Sequence, residues 1–279
     1  MTRPGTWPAT PEPLPAPIVD NHCHLDFPAG DEPFTVEDRL AAAAAAGVTR
    51  VVQIGCDLES AEWTADAVTK YPQMLGGVAL HPNDAAVLAA RGEYDEAFAR
   101  IGDLARGERI RVVGETGLDF FRTGPEGRDA QITAFRDHIA LAKELNLPMQ
   151  IHDRDAHADV VDILMRDGAP ERTVFHCFSG DAGLAKLAMQ HGWFLSFSGT
   201  VTFKNAGGLR AALAVADLSQ VLVETDAPFL TPHPYRGAPN HPALAALTAR
   251  TVAEVLETDL ETVCTTVTET SEMLYGSWE

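Results

Sequence analysis

The sequence predicts a (β/α)8 TIM barrel built as a single domain, and three observations predict it. From residue 18 onward, a short β-branched apolar run is followed by an Ala/Leu-rich stretch of helical period, and the rhythm repeats eight times without a break in composition. Runs such as Arg-Val-Val-Gly (111–114) and Val-Leu-Val-Glu (221–224) are nearly continuously apolar, as expected of parallel strands covered on both faces. The chain has 279 residues, which suits one barrel of about 250 residues with a short extension. A doubly wound open sheet is the competing layout, but no GxGxxG opens the first strand–helix turn.

The first 17 residues hold six prolines, so residues 1–17 read as a poorly ordered leader, excluded from the barrel at 18–279. Strands are then expected at Ile18–His22, Thr49–Ile54, Gly77–Leu80, Ile110–Gly114, Met149–His152, Thr173–His176, Phe194–Phe197 and Val221–Glu224. Helices are expected at Val36–Ala46, Glu59–Tyr71, Tyr94–Arg106, Asp129–Leu145, Ala156–Arg166, Ala182–Gln190 and Leu209–Ala216. Within Asp129–Leu145, Ile132, Phe135, Ile139, Ala142 and Leu145 recur at steps of three and four and make one apolar stripe. Pro148 stops that helix just beyond its end. The tail, His241–Ser277, reads as two further helices closing the outer ring.

Composition excludes several classes. No stretch approaches the ~20 consecutive apolar residues of a membrane span, and no apolar signal segment follows the N-terminus. The four cysteines are scattered without a CxxC pair, which reads as reduced thiols in a cytoplasmic protein. A formal net charge of −19 argues against broad adhesion to nucleic acid or anionic lipid. It leaves room for a phosphodiester held locally.

In such a barrel the active site gathers at the C-terminal ends of the strands. Those ends carry Asp20, His22, His24, His81, Glu115, His152, His176 and Asp226, so five of the ten histidines fall there. Side chains alternate along a strand, so His22 and His24 share a face and can chelate one cation. Alternatively they are ordinary core histidines. Glu115 ends an apolar run, where a carboxylate is costly unless paired or bound to a metal. It is long enough to bridge two cations, or it forms a salt bridge. His152 and His176 each end a strand, and Asp226 precedes Pro228, where it could also cap a turn. Asp119 lies past its strand and could cap the next turn. Six groups from five strands, His22, His24, Glu115, His152, His176 and Asp226, would then serve two metals.

The motifs themselves resemble the TatD family of metal-dependent hydrolases, of the amidohydrolase-like barrel superfamily. The matching stretches are DNHCHLD (20–26), ALHP (79–82), VVGETGLDFF (112–121), LAKELNLPMQIHDRDA (141–156), FHCFSG (175–180), FLSFSGTVTFKNA (194–206) and LVETDAPFLTPHPYRGAPN (222–240). The resemblance implies a binuclear site in which His22, His24 and Asp226 hold one ion, His152 and His176 the other, and Glu115 bridges them. It implies that His81 faces a substrate phosphate. It also implies a metal-dependent deoxyribonuclease, often acting 3′-to-5′ on single strands. The expected cofactors are two divalent ions, Zn2+, Mn2+ or Mg2+.

On that basis Asp226 is the expected general base, while His81 and Arg154 donate to phosphate oxygens. Arg236 and Asn240 either contact a nucleic-acid backbone or order their loop. Phe120, Phe121 and Phe203 either stack on bases or pack. The expected substrates are DNA strand ends or short nucleic-acid fragments, handled by a monomer with no membrane partner. The alternative keeps the barrel and changes the bond, to an aminoacyl-tRNA ester or a small amide or lactone. The chain departs from the family at Asn83, where many members carry a second His, and at His241, where a Glu is usual. It departs also at Thr270–Gly276, which replaces an Asn-containing pattern. Asn83 and His241 are expected where substrates are gripped.

Overall fold

A computed structural model of the protein describes residues 5–278. Eight parallel strands form one sheet in chain order. They are β1 (Ile18–Cys23), β2 (Val48–Gly55), β3 (Met74–Val78), β4 (Ile110–Asp119), β5 (Met149–Arg154), β6 (Thr173–Phe175), β7 (Phe194–Phe197) and β8 (Val221–Val223). The intervening helices are α1 (Val36–Ala45), α2 (Leu58–Lys70), α3 (Pro82–Arg91), α4 (Tyr94–Leu104), α5 (Pro125–Leu145), α6 (His157–Asp167), α7 (Ala182–Gln190) and α8 (Gly207–Leu213). The tail forms the two expected helices, α9 (Ala245–Val255) and α10 (Leu260–Tyr275). This is the predicted alternation in the predicted order.

The described residues divide into two compact units, one running up to Gln53 and resuming at Gly180–Trp278, the other Ile54–Ser179. In the first unit the last strand returns beside the first. The Asn21 side-chain amide donates to Val223 O at 3.0 Å, Asp226 N–H to His22 O at 2.9 Å and His24 N–H to Ala227 O at 2.7 Å. Asn21 is fully buried, and its Oδ1 lies 3.1 Å from the Ser271 hydroxyl of α10. Ordering β1 thus also seats the C-terminal helix.

Met1–Pro4 lie outside the described residues, and the rest of the leader is anchored at a few points, with Pro8 and Leu14 buried. It contains no helix or strand. Leu14 is nonetheless buried, with its N–H on Ala46 O at 3.0 Å, and the Trp7 ring sits 4.8 Å from that of Phe34. Proline removes donors and fixes φ, which leaves an extended segment held by side-chain packing and a few backbone bonds such as that of Leu14.

In the second unit β3, β4, β5 and β6 pair in parallel. Two expectations change here. Helix α3 is absent from the sequence reading because Pro82 reads as a strand terminator and only Pro82 and Ala85 are buried. Proline at the first helical position and Gly92 at its end, with φ +72°, are the signals that mark it. Helix α5 buries Phe135, Ile139 and Ala142 of the expected stripe, and its inward face also takes in Gln131 and His138, which satisfy the backbone N–H groups of Asp119 and Leu80, while Ile132 and Leu145 lie partly exposed.

Strand β4 runs on to Asp119, so Glu115 lies within it and Asp119 ends it. The β4–β5 register shifts between Val113 and Thr116. Gly117 has φ +140°, and a Cβ there would stand 2.1 Å from His152 O, its partner in register. Only glycine permits the approach that sets His152 beside Glu115. Gly117→Ala is expected to lower the unfolding free energy by roughly 1–3 kcal/mol from the backbone alone, read by urea denaturation, with further loss as β5 is displaced.

Candidate functional site

Each unit presents its own group of donors. In the first, β1 carries His22 and the next residue but one carries His24, both buried. Their Nε2 atoms are 3.1 Å apart, and Asp226 Oδ1 lies 3.4 Å from His24 Nε2 and 3.9 Å from His22 Nε2. Ligands on a tetrahedral ion with 2.0–2.1 Å bonds stand about 3.3 Å apart. The three atoms therefore fit one divalent cation. Asp226 sits at φ +54°, a conformation that Asp adopts more readily than most residues.

The backbone around these ligands is held from below. Asp20 is fully buried and accepts from Thr225 N–H at 2.8 Å and from the Thr225 hydroxyl at 2.5 Å. Burial pushes its carboxyl up to about 8 against those hydrogen bonds. Gln53 accepts from Leu25 N–H at 2.6 Å and donates to Asp26 at 2.8 Å. Arg39 donates to Leu25 O at 2.7 Å.

In the second unit Glu115 is the centre. Its Oε1 lies 2.5 Å from His152 Nδ1, 2.8 Å from His176 Nε2 and 3.6 Å from His81 Nε2. Cys56 Sγ lies 3.5 Å from Oε2. Burial opposes a charge on Glu115, but His176, His81 and His152 outweigh it and hold its carboxyl well below the usual range. Burial likewise disfavours a charged His152, yet Glu115 and Asp119 raise its pKa to about 8. His81 goes the other way. Burial, with His152 and His176 nearby, lowers it to about 4 despite Glu115.

Glu115, His152 and His176 offer one donor atom each, all within 4.8 Å of one another, and His81, Asp119 and His152 do the same. The set, imidazoles with carboxylates, fits a divalent metal ion. His152 turns Nε2 to Asp119 Oδ2 at 3.3 Å, the partner a metal-ligating imidazole usually keeps on its far side. Asp119 also caps the turn beyond β4, accepting from Phe121 N–H at 3.0 Å and Arg122 N–H at 2.8 Å. It therefore fills both roles at once.

Two residues missing from the sequence reading hold this group, both from α5; a third, Gln53 of β2, holds the first group as described. Gln131 accepts from Asp119 N–H at 2.9 Å. His138 accepts on Nε2 from Leu80 N–H at 3.1 Å while Nδ1 meets Ala134 O at 2.7 Å. The signal was present: two polar residues seven apart interrupt the apolar face of α5.

With this geometry in hand, comparison with known proteins is direct. The family described as "TatD related DNase" matches residues 19–276. The chain belongs to the TatD family. It is 42% identical to the uncharacterized metal-dependent hydrolase TatD of Mycobacterium tuberculosis, over 93% of this chain and 98% of that one. It is 36% identical to the uncharacterized metal-dependent hydrolase YabD of Bacillus subtilis, over 92% and 98%. Among solved structures it resembles YJJV, a TatD homolog from Escherichia coli, with a TM-score of 0.85 at 27% identity, over 93% and 98% of the two chains. The strand order and this likeness together show the TatD-type (β/α)8 fold.

The points where this TatD-family chain departs from the usual pattern are structural. Asn83 donates through its N–H to His81 Nδ1 at 3.2 Å and through its side chain to Asp119 at 3.1 Å, and accepts from the Thr123 hydroxyl at 2.8 Å. Through these bonds it orients His81 and Asp119. His241 is buried, with the rings of Trp7 at 5.9 Å and Phe34 at 5.5 Å, and burial lowers its pKa to about 4. Asn240 is likewise fully buried. Its side chain donates to Thr225 O at 2.9 Å and to Phe229 O, and accepts from His241 N–H. The expectation of substrate contact for Asn240 and His241 is corrected: both order their loop.

Arg154 lies 4.0 Å over the Phe121 ring, Arg236 4.5 Å over Phe203 and Arg128 4.3 Å over Phe120. Each phenyl ring considered for base stacking thus has a face taken by a guanidinium. No helix among the described residues is long and apolar enough to cross a membrane.

Two outcomes follow from this scaffold. Asp119→Ala is expected to weaken divalent-ion binding by about 10–100-fold, measured by chelator competition. His138 stays neutral in the fold, its pKa lowered to about 4 by burial. The unfolded chain then takes up the proton first, so this stability is full above about pH 6.5 and is lost as pH falls toward 4. His138→Gln, which has no charge to gain, is expected to flatten that part of the metal-free protein's pH–stability curve by up to roughly 3 kcal/mol.

Proposed function

We propose that this TatD-family protein is a metal-dependent deoxyribonuclease that hydrolyses phosphodiester bonds at DNA strand ends or in short fragments, with 3′-to-5′ action on single strands. The observation that carries the reading is the buried Glu115 carboxylate, flanked by His152 and His176, with His81 aimed at the same oxygen. A fully buried carboxylate among three imidazoles is a costly arrangement for stability alone. It is the natural one for holding divalent ions. The description of the matching family as DNase-related supports the choice of bond.

In this reading His22, His24 and Asp226 would hold one divalent ion and Glu115, His152 and His176 another. Bound divalent ions would polarise the phosphoryl oxygen and bring the pKa of an attacking water toward ~7. The chain's own residues do the rest. Asp226, fixed by its N–H on His22 O, accepts the proton of the attacking water. His81 keeps its ring proton on Nε2, because Nδ1 accepts from Asn83, and donates it as a hydrogen bond to a phosphate oxygen. Its lowered pKa keeps it a neutral donor at pH 7. Arg154, at the end of β5 beside Asp119 in register, adds positive charge near the departing strand.

The test uses end-labelled single- and double-stranded DNA with chelator-stripped protein re-metallated by Mg2+, Mn2+ or Zn2+. Hydrolysis is expected only with metal. Glu115→Ala is expected to reduce it by at least about 100-fold, since losing a mere outer partner costs 10–100-fold. Activity that survives both treatments overturns the reading. Hydrolysis of aryl esters or aminoacyl-tRNA in place of DNA would keep the ions and change the bond.

A further inference from the structure

We propose that Phe27 and Phe229 form an aromatic subsite that seats the nucleobase beside the scissile phosphate. The inference rests on the deoxyribonuclease reading and names what that site grips. Both rings belong to the first unit and both lean on a ligand of its donor group. Phe27 meets the His24 imidazole edge-on at 5.7 Å, Phe229 meets it at 6.1 Å, and the two phenyl rings are 5.8 Å apart at an interplanar angle of 66°. His24 itself is only 3% exposed, yet Phe27 is 36% and Phe229 48% exposed. The structure therefore buries the ligand and leaves the rings above it in water.

These are not frayed loop residues. The chain before Phe27 is fixed by Arg39 on Leu25 O and by Gln53 on Asp26. Phe229 N–H donates to Asp226 O at 2.8 Å, and Phe229 O accepts from the buried Asn240. Asp226 and Leu230, which bracket it, sit at φ +54° and +53°. Left-handed backbone at non-glycine residues persists only where the surroundings enforce it. Here it turns Phe229 outward from a pinned main chain.

A ligand lying on these rings must carry a planar apolar face a few ångströms from a group that attracts an anion. A nucleotide does so, with its base beside its phosphate. Base–aromatic stacking tolerates any base and needs no cation, which suits a chain of net charge −19. The three other candidate phenyl rings, Phe120, Phe121 and Phe203, already carry guanidinium groups on one face.

The experiment compares metal-loaded wild type with the double variants F27L/F229L and F27Y/F229Y, whose bound metal is first measured to be unchanged. On single strands with a normal terminal base, the leucine pair is expected to raise KM on the order of tenfold. With an abasic terminal nucleotide the difference should vanish, and the tyrosine pair should behave as wild type. Separately, 2-aminopurine mononucleotide fluorescence should be quenched by wild type and by the tyrosine pair but not by the leucine pair. A leucine pair that matches wild type on base-bearing ends, or quenches equally, overturns the subsite while leaving the nuclease reading intact. Wild type that quenches 2-aminopurine yet cleaves no DNA overturns the nuclease reading and leaves the subsite standing.

Discussion

The structure depends on keeping the Glu115 carboxylate charged although it is buried. An isolated carboxylate moved into such surroundings would shed its charge by taking up a proton. Three imidazoles reverse that outcome and hold it well below its usual range. Each must then be supplied by a different element: His81 ahead of α3, His152 from β5, and His176 just past β6. Parallel strands lying side by side deliver such groups at one level, because their ends are in register and the preceding backbone is fixed by ladder hydrogen bonds. The register shift in β4 and the left-handed Gly117 are the local adjustments that bring Glu115 into that level.

The supports follow a common pattern. Several of the donors, His24, His81, Asp119 and Asp226, stand at or beside a backbone group tied to a buried polar side chain. His138 takes the N–H of Leu80, next to His81, and Gln131 takes the N–H of Asp119. In the other unit Thr225 is tied to Asp20, and Leu25 to Gln53 and Arg39. Strand ladders end where the ligands begin, so the orphaned backbone groups there need side-chain partners. A buried glutamine or histidine on a helix meets that need with geometry that water would not fix.

Those supports also explain what the sequence could and could not convey. The strand–helix rhythm and the ligand types at strand ends are local properties, so the barrel order, His22, His24, Glu115, His152, His176 and Asp226 were all legible as candidates. The supports pair residues dozens of positions apart. Nothing near Gln131 states that it meets Asp119, and an apolar-stripe rule passes over His138 because it counts polar residues as outward-facing. Asn240 and His241 lie in a loop after the last strand, where nothing local marks a side chain as buried. A buried backbone carbonyl or aromatic neighbour, invisible in one dimension, takes them inside. The proline-rich leader misleads for the related reason that Trp7 finds its partners, Phe34 and His241, far along the chain.

The engaged arginines bear on how an acidic protein handles an anionic polymer. Arg39 and Arg210 spend their donors on backbone carbonyls, while Arg128, Arg154 and Arg236 lie on phenyl faces. A guanidinium held this way is preorganised and not free to sweep the solvent, so its hydrogen bonds are made only at short range. With a net charge of −19, the field within about a Debye length of the surface repels a polyanion. In the proposed reading, capture would then occur over the last few ångströms, through bound ions, neutral donors such as His81, and apolar faces. Such capture would suit a chain end or a short fragment, whose phosphates near the protein are few, better than a long duplex that would bring many charges against the acidic surface at once.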